Sequence, residues 1–152
     1  MRGTVRNKNN AEKIDPLRKA FGGELFGQVE LVEADLLDSD SLLRAVQGST
    51  YVIHVASPVP FSEPQDPVAE VIRPAVDGTL AVLEACRKSG VRRVSITSSI
   101  SAIYNVNSED KPEVFDERSW SNPDLHHLGS YEKSKTLAER AAWDYISRLP
   151  DD

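Results

Sequence analysis

The chain predicts an α/β fold, a doubly wound parallel sheet, and two observations carry that prediction. Short apolar runs of strand length alternate with stretches of helical period, and Gly, Pro, Asp and Ser punctuate the joints. Strands separated by helices pair in parallel through right-handed crossovers, which lays helices over the faces of one sheet. At 152 residues, with 39% apolar and 28% charged, the chain has material for one domain with its own core.

The elements follow in order. Residues 3–6 read as the end of a strand, and a short helix follows with Asp15 as cap, Pro16 in the first turn and Gly22-Gly23 as its stop. Residues 29–34 form a second strand. Ser39 or Asp40 then caps a helix whose apolar face is Leu42, Leu43 and Val46, and Gly48 can take the left-handed conformation that ends it. Residues 51–56 form a third strand, and the proline-rich stretch 57–67 is a loop. A long helix runs from Val68 to Gly90, kinked at Pro74. Residues 93–97 form a fourth strand, residues 105–129 a long polar loop of the kind that shapes a site, and residues 131–148 a last helix. Trp143 and Tyr145 on that helix read as packing residues, since the helix period explains both.

Composition excludes several classes of function. The net charge is −6, and no Lys/Arg block exists to follow a phosphate backbone, so nucleic acid is not an expected partner. No apolar run approaches the roughly 18 to 20 residues of a membrane span, and the opening residues do not read as a signal peptide. The reading is a cytoplasmic protein away from membranes. The single cysteine, Cys86, lies in an apolar helical pattern and reads as a buried thiol acting as a small hydrophobe. His126 and His127 are adjacent on a loop near acids, a poor arrangement for one ion, and no metal site is expected. His54, inside an apolar strand, reads as a hydrogen-bonded core histidine.

Ligands of such folds sit at the carboxyl ends of the strands. There, Thr97-Ser98-Ser99 closes the fourth strand, and Tyr131-Glu132-Lys133-Ser134-Lys135 opens the last helix. Positions i and i+4 share a helix face, so Lys135 can hold its ammonium near the phenol of Tyr131 and favour its ionised form. A tyrosine so placed can give a proton to a carbonyl oxygen or take one back. Ser99 can donate a hydrogen bond to the same oxygen as charge grows on it.

With these motifs the chain resembles the extended short-chain dehydrogenase/reductases, within them the group of dihydroflavonol reductase-like, anthocyanidin reductase-like and cinnamoyl-CoA reductase-like enzymes. The resemblance covers nearly the whole chain. It rests on Arg2-Gly3-Thr4-Val5-Arg6, Ala34-Asp35-Leu36, His54-Val55-Ala56-Ser57-Pro58, Arg92-Arg93-Val94, Thr97-Ser98-Ser99, Phe115-Asp116-Glu117, Trp120-Ser121 and Tyr131 through Glu139. It implies a catalytic Ser99, Tyr131 and Lys135, with Lys135 also bonding a nicotinamide ribose. It further implies NADP as cofactor, with Arg6 and Lys13 at the 2′-phosphate and Asp35 and Leu36 at the adenine. Val55, Ala56 and Ser57 would lie near the pyrophosphate and ribose. No acid precedes Glu12, which agrees with NADP over NAD, although exposed basic residues on a turn are another reading of Arg6 and Lys13.

Ile100, where related dehydratases place an acid, points away from dehydration. Ile103-Tyr104-Asn105 departs from the Val-Tyr-Gly turn of related epimerases, so reduction of a small-molecule carbonyl is the expected chemistry.

The resemblance also implies absences. The family's first strand and its glycine-rich phosphate turn have no counterpart here, nor do its later strands and substrate-binding region. The expectation is therefore an incomplete Rossmann-like sheet, a partial NAD(P)-binding domain over 1–152, with impaired cofactor binding and little or no activity alone. Unpaired strand edges would favour self-association. The competing expectation is a natural short form that is no enzyme and binds a protein partner, such as a full-length relative, through those edges.

Overall fold

The computed structural model describes residues 1–150, except the side chain of Asp110. The elements are β1 (Arg2–Val5), α1 (Ala11–Phe21), α2 (Gly23–Gly27), β2 (Glu30–Glu33), α3 (Ser39–Val46), β3 (Tyr51–His54), α4 (Arg73–Lys88), β4 (Arg93–Ile96) and α5 (Ser130–Ser147). The strands pair in parallel, as their alternation with helices requires, but in two separate sheets. β1 pairs with β2 (Arg2 opposite Glu30), and β3 with β4 (Tyr51 opposite Arg93). The doubly wound order places one further strand between these pairs. Among the described residues none fills that position, so β1 and β3 each keep one edge without a strand partner.

The core lies between the strands and the α3–α4 layer. Leu42, Val46, Val82, Ala85 and Cys86 are buried together, and Ala34, Leu36, Val52 and Val94 pack on them from the strand side. Alternation along β3 sends Val52 to this core and Tyr51 and Ile53 to the opposite face, where they stand 65% and 75% exposed. Burial pushes the Cys86 thiol up to about 11, which keeps it protonated and in the hydrophobic role expected of it.

Local differences from the expected elements have physical causes. Asn10, not Asp15, caps α1, accepting from the Lys13 amide, and Pro16 falls inside the helix. Asp38 caps α3, its Oδ1 accepting from the amides of Asp40 and Ser41, because it stands one residue before the first helical position. The expected kink at Pro74 is a π-helical turn over Val68–Ile72 that passes into α4 just before the proline. Pro74 has no amide hydrogen, and its ring would collide with the carbonyl four residues back, so the wider turn upstream relieves both. Trp143 is 62% exposed rather than packed.

Candidate active site

The carboxyl end of β4 leads into the first named site residue. Ser99 is extended and half-buried, and its Oγ accepts the Ser101 amide at 3.1 Å, capping a 3₁₀ turn at Ile100–Ala102. Among the described residues the Ser99 hydroxyl donates to no acceptor. The turn is clamped to its surroundings by the Ser101 carbonyl, which accepts from Ser121 Oγ (2.7 Å), Asn105 Nδ2 (3.2 Å) and Thr136 Oγ1 (3.3 Å). Thr136 is on α5, so the strand end carrying Ser99 and the helix carrying Tyr131 are tied to one carbonyl. Ser101, Ser121 and Thr136 are small and buried, which lets backbone and helix approach closely.

On α5, Lys135 is 7% exposed and its Nζ lies 5.7 Å from the centre of the Tyr131 ring. The two side chains adjoin, and neither the Tyr131 hydroxyl nor Lys135 Nζ is taken up by a hydrogen bond or ion pair among the described residues. Lys135 also borders a small cavity with His54, Ala56, Ser57, Thr97 and Ser98. Thus the end of β3, the end of β4 and the second turn of α5 meet at one place. His54 is buried as expected, yet neither ring nitrogen has a hydrogen-bond partner among the described residues. Its pKa is lowered from 6.5, first by burial and then by the charge of Lys135, so it is neutral at neutral pH.

The remaining named residues fall on strand ends too. Asp35 and Leu36 follow β2. Asp35 Oδ1 accepts the Leu37 amide at 2.9 Å, and Leu36 lies against Gly78 of α4, where any Cβ would come within 2.9 Å of the Leu36 Cβ. Val55 and Ala56 are exposed beyond β3, and Ser57 is half-buried. Arg6 and Lys13 are exposed, and neither forms an ion pair among the described residues. Arg6 directly follows β1 and Lys13 lies in α1, and neither lines the cavity at Lys135.

Sequence reasoning missed three polar groups at this site. Ser98 donates a short hydrogen bond to Glu139, whose other oxygen accepts from Trp143 Nε1 at 3.4 Å. The face shared by Tyr131, Lys135 and Glu139, four residues apart, could have flagged it. Glu63, from the 57–67 loop, accepts from Ser130 at the start of α5, and no local pattern announces a contact so distant in the chain.

Known proteins share this arrangement of elements. The model of the 3-beta hydroxysteroid dehydrogenase/isomerase family matches residues 15–144, and the chain belongs to that family. A bifunctional dihydroflavonol 4-reductase/flavanone 4-reductase of Pyrus communis is 40% identical over 150 residues, a match that covers 95% of this chain and 42% of the relative. A tetraketide alpha-pyrone reductase 1 of Arabidopsis thaliana is 40% identical over 148 residues, covering 94% of this chain and 44% of the relative. The crystal structure of a yeast methylglyoxal/isovaleraldehyde reductase complexed with NADPH matches at TM-score 0.76 and 28% identity, covering 96% of this chain and 45% of the yeast protein. The chain therefore spans less than half the length of these relatives. They are reductases, as the motifs led one to expect. No helix among the described residues is long and apolar enough to cross a membrane.

Proposed function

We propose that this chain is the catalytic segment of an NADP-dependent carbonyl reductase acting on a ketone or aldehyde of the dihydroflavonol-like kind. The observation that carries the proposal is the Tyr131–Lys135 pair, one helical turn apart at 5.7 Å, with a free phenol, a free ammonium and, on the adjoining strand end, a Ser99 hydroxyl that accepts the Ser101 amide and keeps its own proton to donate. NADPH, when bound, supplies the hydride that adds to the carbonyl carbon. Tyr131 gives its hydroxyl proton to the carbonyl oxygen, which leaves an alcohol. Ser99 donates a hydrogen bond to that oxygen while negative charge develops on it. Lys135 holds the nicotinamide ribose and steadies the tyrosinate left behind.

The side chains present suit the two ends of such a cofactor. Arg6 and Lys13, unpaired with any acid, suit a 2′-phosphate; Asp35 and Leu36 suit the adenine; Val55, Ala56 and Ser57 would hold the stretch between pyrophosphate and ribose, and Ala56 and Ser57 border the cavity with Lys135. The glycine-rich turn that would meet the pyrophosphate is not among these residues. Residues 1–152 alone should accordingly bind NADPH weakly and turn over little of it. The protein as the cell makes it, captured through its 105–129 loop, should convert NADPH and a carbonyl compound to the alcohol, read by mass spectrometry. Turnover by the isolated 152-residue chain would overturn the second statement, and no alcohol from the cellular protein would overturn the first.

A second reading has its own observation in the open edges of β1 and β3 and the exposed Tyr51, Ile53 and Val55. On this reading a non-enzymatic short form binds a copy of itself or a full-length relative through those edges. Sedimentation of the chain alone and mixed with a full-length relative checks it: Ile53→Lys should lower association, and the absence of both self-association and a mixed complex would end the idea.

A further inference from the structure

We propose that Glu63 is a positioning residue that fixes the first turn of α5, and with it Tyr131, an inference that rests on the reductase reading for its catalytic consequence. A helix leaves its first amide hydrogens without intrahelical partners, and a side chain at the N-cap usually accepts one of them. The N-cap of α5 is Gly129, which has no side chain to offer. Glu63 takes over that role from the loop between β3 and α4. Its two oxygens accept the Ser130 amide at 3.1 and 3.2 Å, and Oε2 also accepts the Ser130 hydroxyl at 3.1 Å. The glycine makes room for this, since a Cβ at position 129 would come within 3.3 Å of Glu63 Oε2 and 3.0 Å of Glu132 Oε2. A carboxylate at a helix N-terminus also meets the favourable end of the helix dipole.

The loop runs from the site on one side of Glu63 to a hydrogen-bonded helix entry on the other. Upstream, Ser57 borders the cavity that Lys135 lines. Downstream, Asp66 accepts the Ala69 amide while its own amide donates to Glu70, which fixes the entry to the π-helical turn. Glu63 therefore ties a strap of set length, whose first residues would touch the cofactor, to the residue directly before Tyr131. Ser130 is 2% exposed, so the position at which that helix begins has little freedom. Without the carboxylate, the first turn of α5 frays and the phenol loses its fixed place relative to the β3 end.

The test uses the protein at its cellular length with Glu63→Ala and Glu63→Gln, and reads amide hydrogen exchange across 129–134 beside kcat and KM for NADPH. Loss of a cap of about 1 kcal/mol corresponds to a roughly fivefold larger open population of the first turn. Glu63→Ala should give that local rise, with the rest of α5 unchanged, kcat down about tenfold and KM for NADPH within twofold. Glu63→Gln, which keeps an acceptor oxygen, should recover part of both. Unchanged exchange in 129–134, a rise spread evenly through α5, or a local rise with kcat unaltered would each overturn the proposal. If the unmutated protein turns over no NADPH, the reductase reading fails, and the exchange comparison still decides whether Glu63 holds the turn.

Discussion

Lys135 Nζ lies 5.7 Å from the centre of the Tyr131 ring, one helical turn along α5, and no hydrogen bond joins the two side chains. On the proposed reading one lysine serves both the tyrosine that gives the proton and the nicotinamide ribose. Lys135→Met should cut kcat/KM for carbonyl reduction about 100-fold or more and also weaken NADPH binding, measured by fluorescence titration. A fall in kcat with unchanged NADPH affinity would confine Lys135 to the proton step.

Arg6 and Lys13 are exposed cations without acidic partners, so their removal should cost the fold little. A hydrogen bond between charged groups contributes about 1.5 to 3 kcal/mol. Arg6→Ala should therefore reduce the preference for NADPH over NADH by roughly 10- to 100-fold, with the melting temperature nearly unchanged. Equal selectivity in the variant would return Arg6 to a solvated turn.

Gly78 of α4 lies where a Cβ would come within 2.9 Å of the Leu36 Cβ, too close for the neighbouring strand end to stay in place. Gly78→Ala should destabilise the protein by about 1 to 3 kcal/mol despite the better helix propensity of alanine, seen as a shifted denaturation midpoint. NADPH binding should weaken with it, because Leu36 must move. A variant as stable as the parent would show that α4 and Leu36 can separate without strain.

His54 makes stability depend on pH in a defined direction. Its folded pKa lies below the 6.5 of the free side chain, from burial and then from Lys135. The unfolded chain thus takes up a proton that the folded chain refuses, and stability falls as the pH drops through 6.5 toward the folded value. Above pH 6.5 this contribution is level. Melting temperatures at pH 7.5 and 5.5 should differ more for the parent than for His54→Gln, and equal differences would remove His54 as the cause.

Much of this was legible in the sequence because it is local. The alternation of periods gives the strands and helices, and Tyr131 and Lys135 share a face because they are one turn apart. What was illegible depends on long-range placement. Nothing near Glu63 signals that its carboxylate reaches Ser130, and only the four-residue spacing from Lys135 hints that Glu139 reaches Ser98. Helix caps slipped to Asn10 and Asp38 because several neighbouring polar residues could each serve, and the backbone decides among them. The division into two sheets follows from a neighbour that β1 and β3 lack; local periodicity does not record it, but the resemblance implied that absent strand and its unpaired edges.

Replacement of Tyr131 by Phe in the protein at its cellular length tests the reductase reading most directly, because it removes one hydroxyl and keeps the ring beside Lys135. The measurement is the initial rate of NADPH oxidation with a saturating ketone or aldehyde, alongside NADPH affinity. The expected result is a rate at least about 100-fold lower with NADPH affinity unchanged. A Tyr131→Phe protein that reduces the carbonyl as fast as its parent would contradict the assignment of Tyr131 as proton donor.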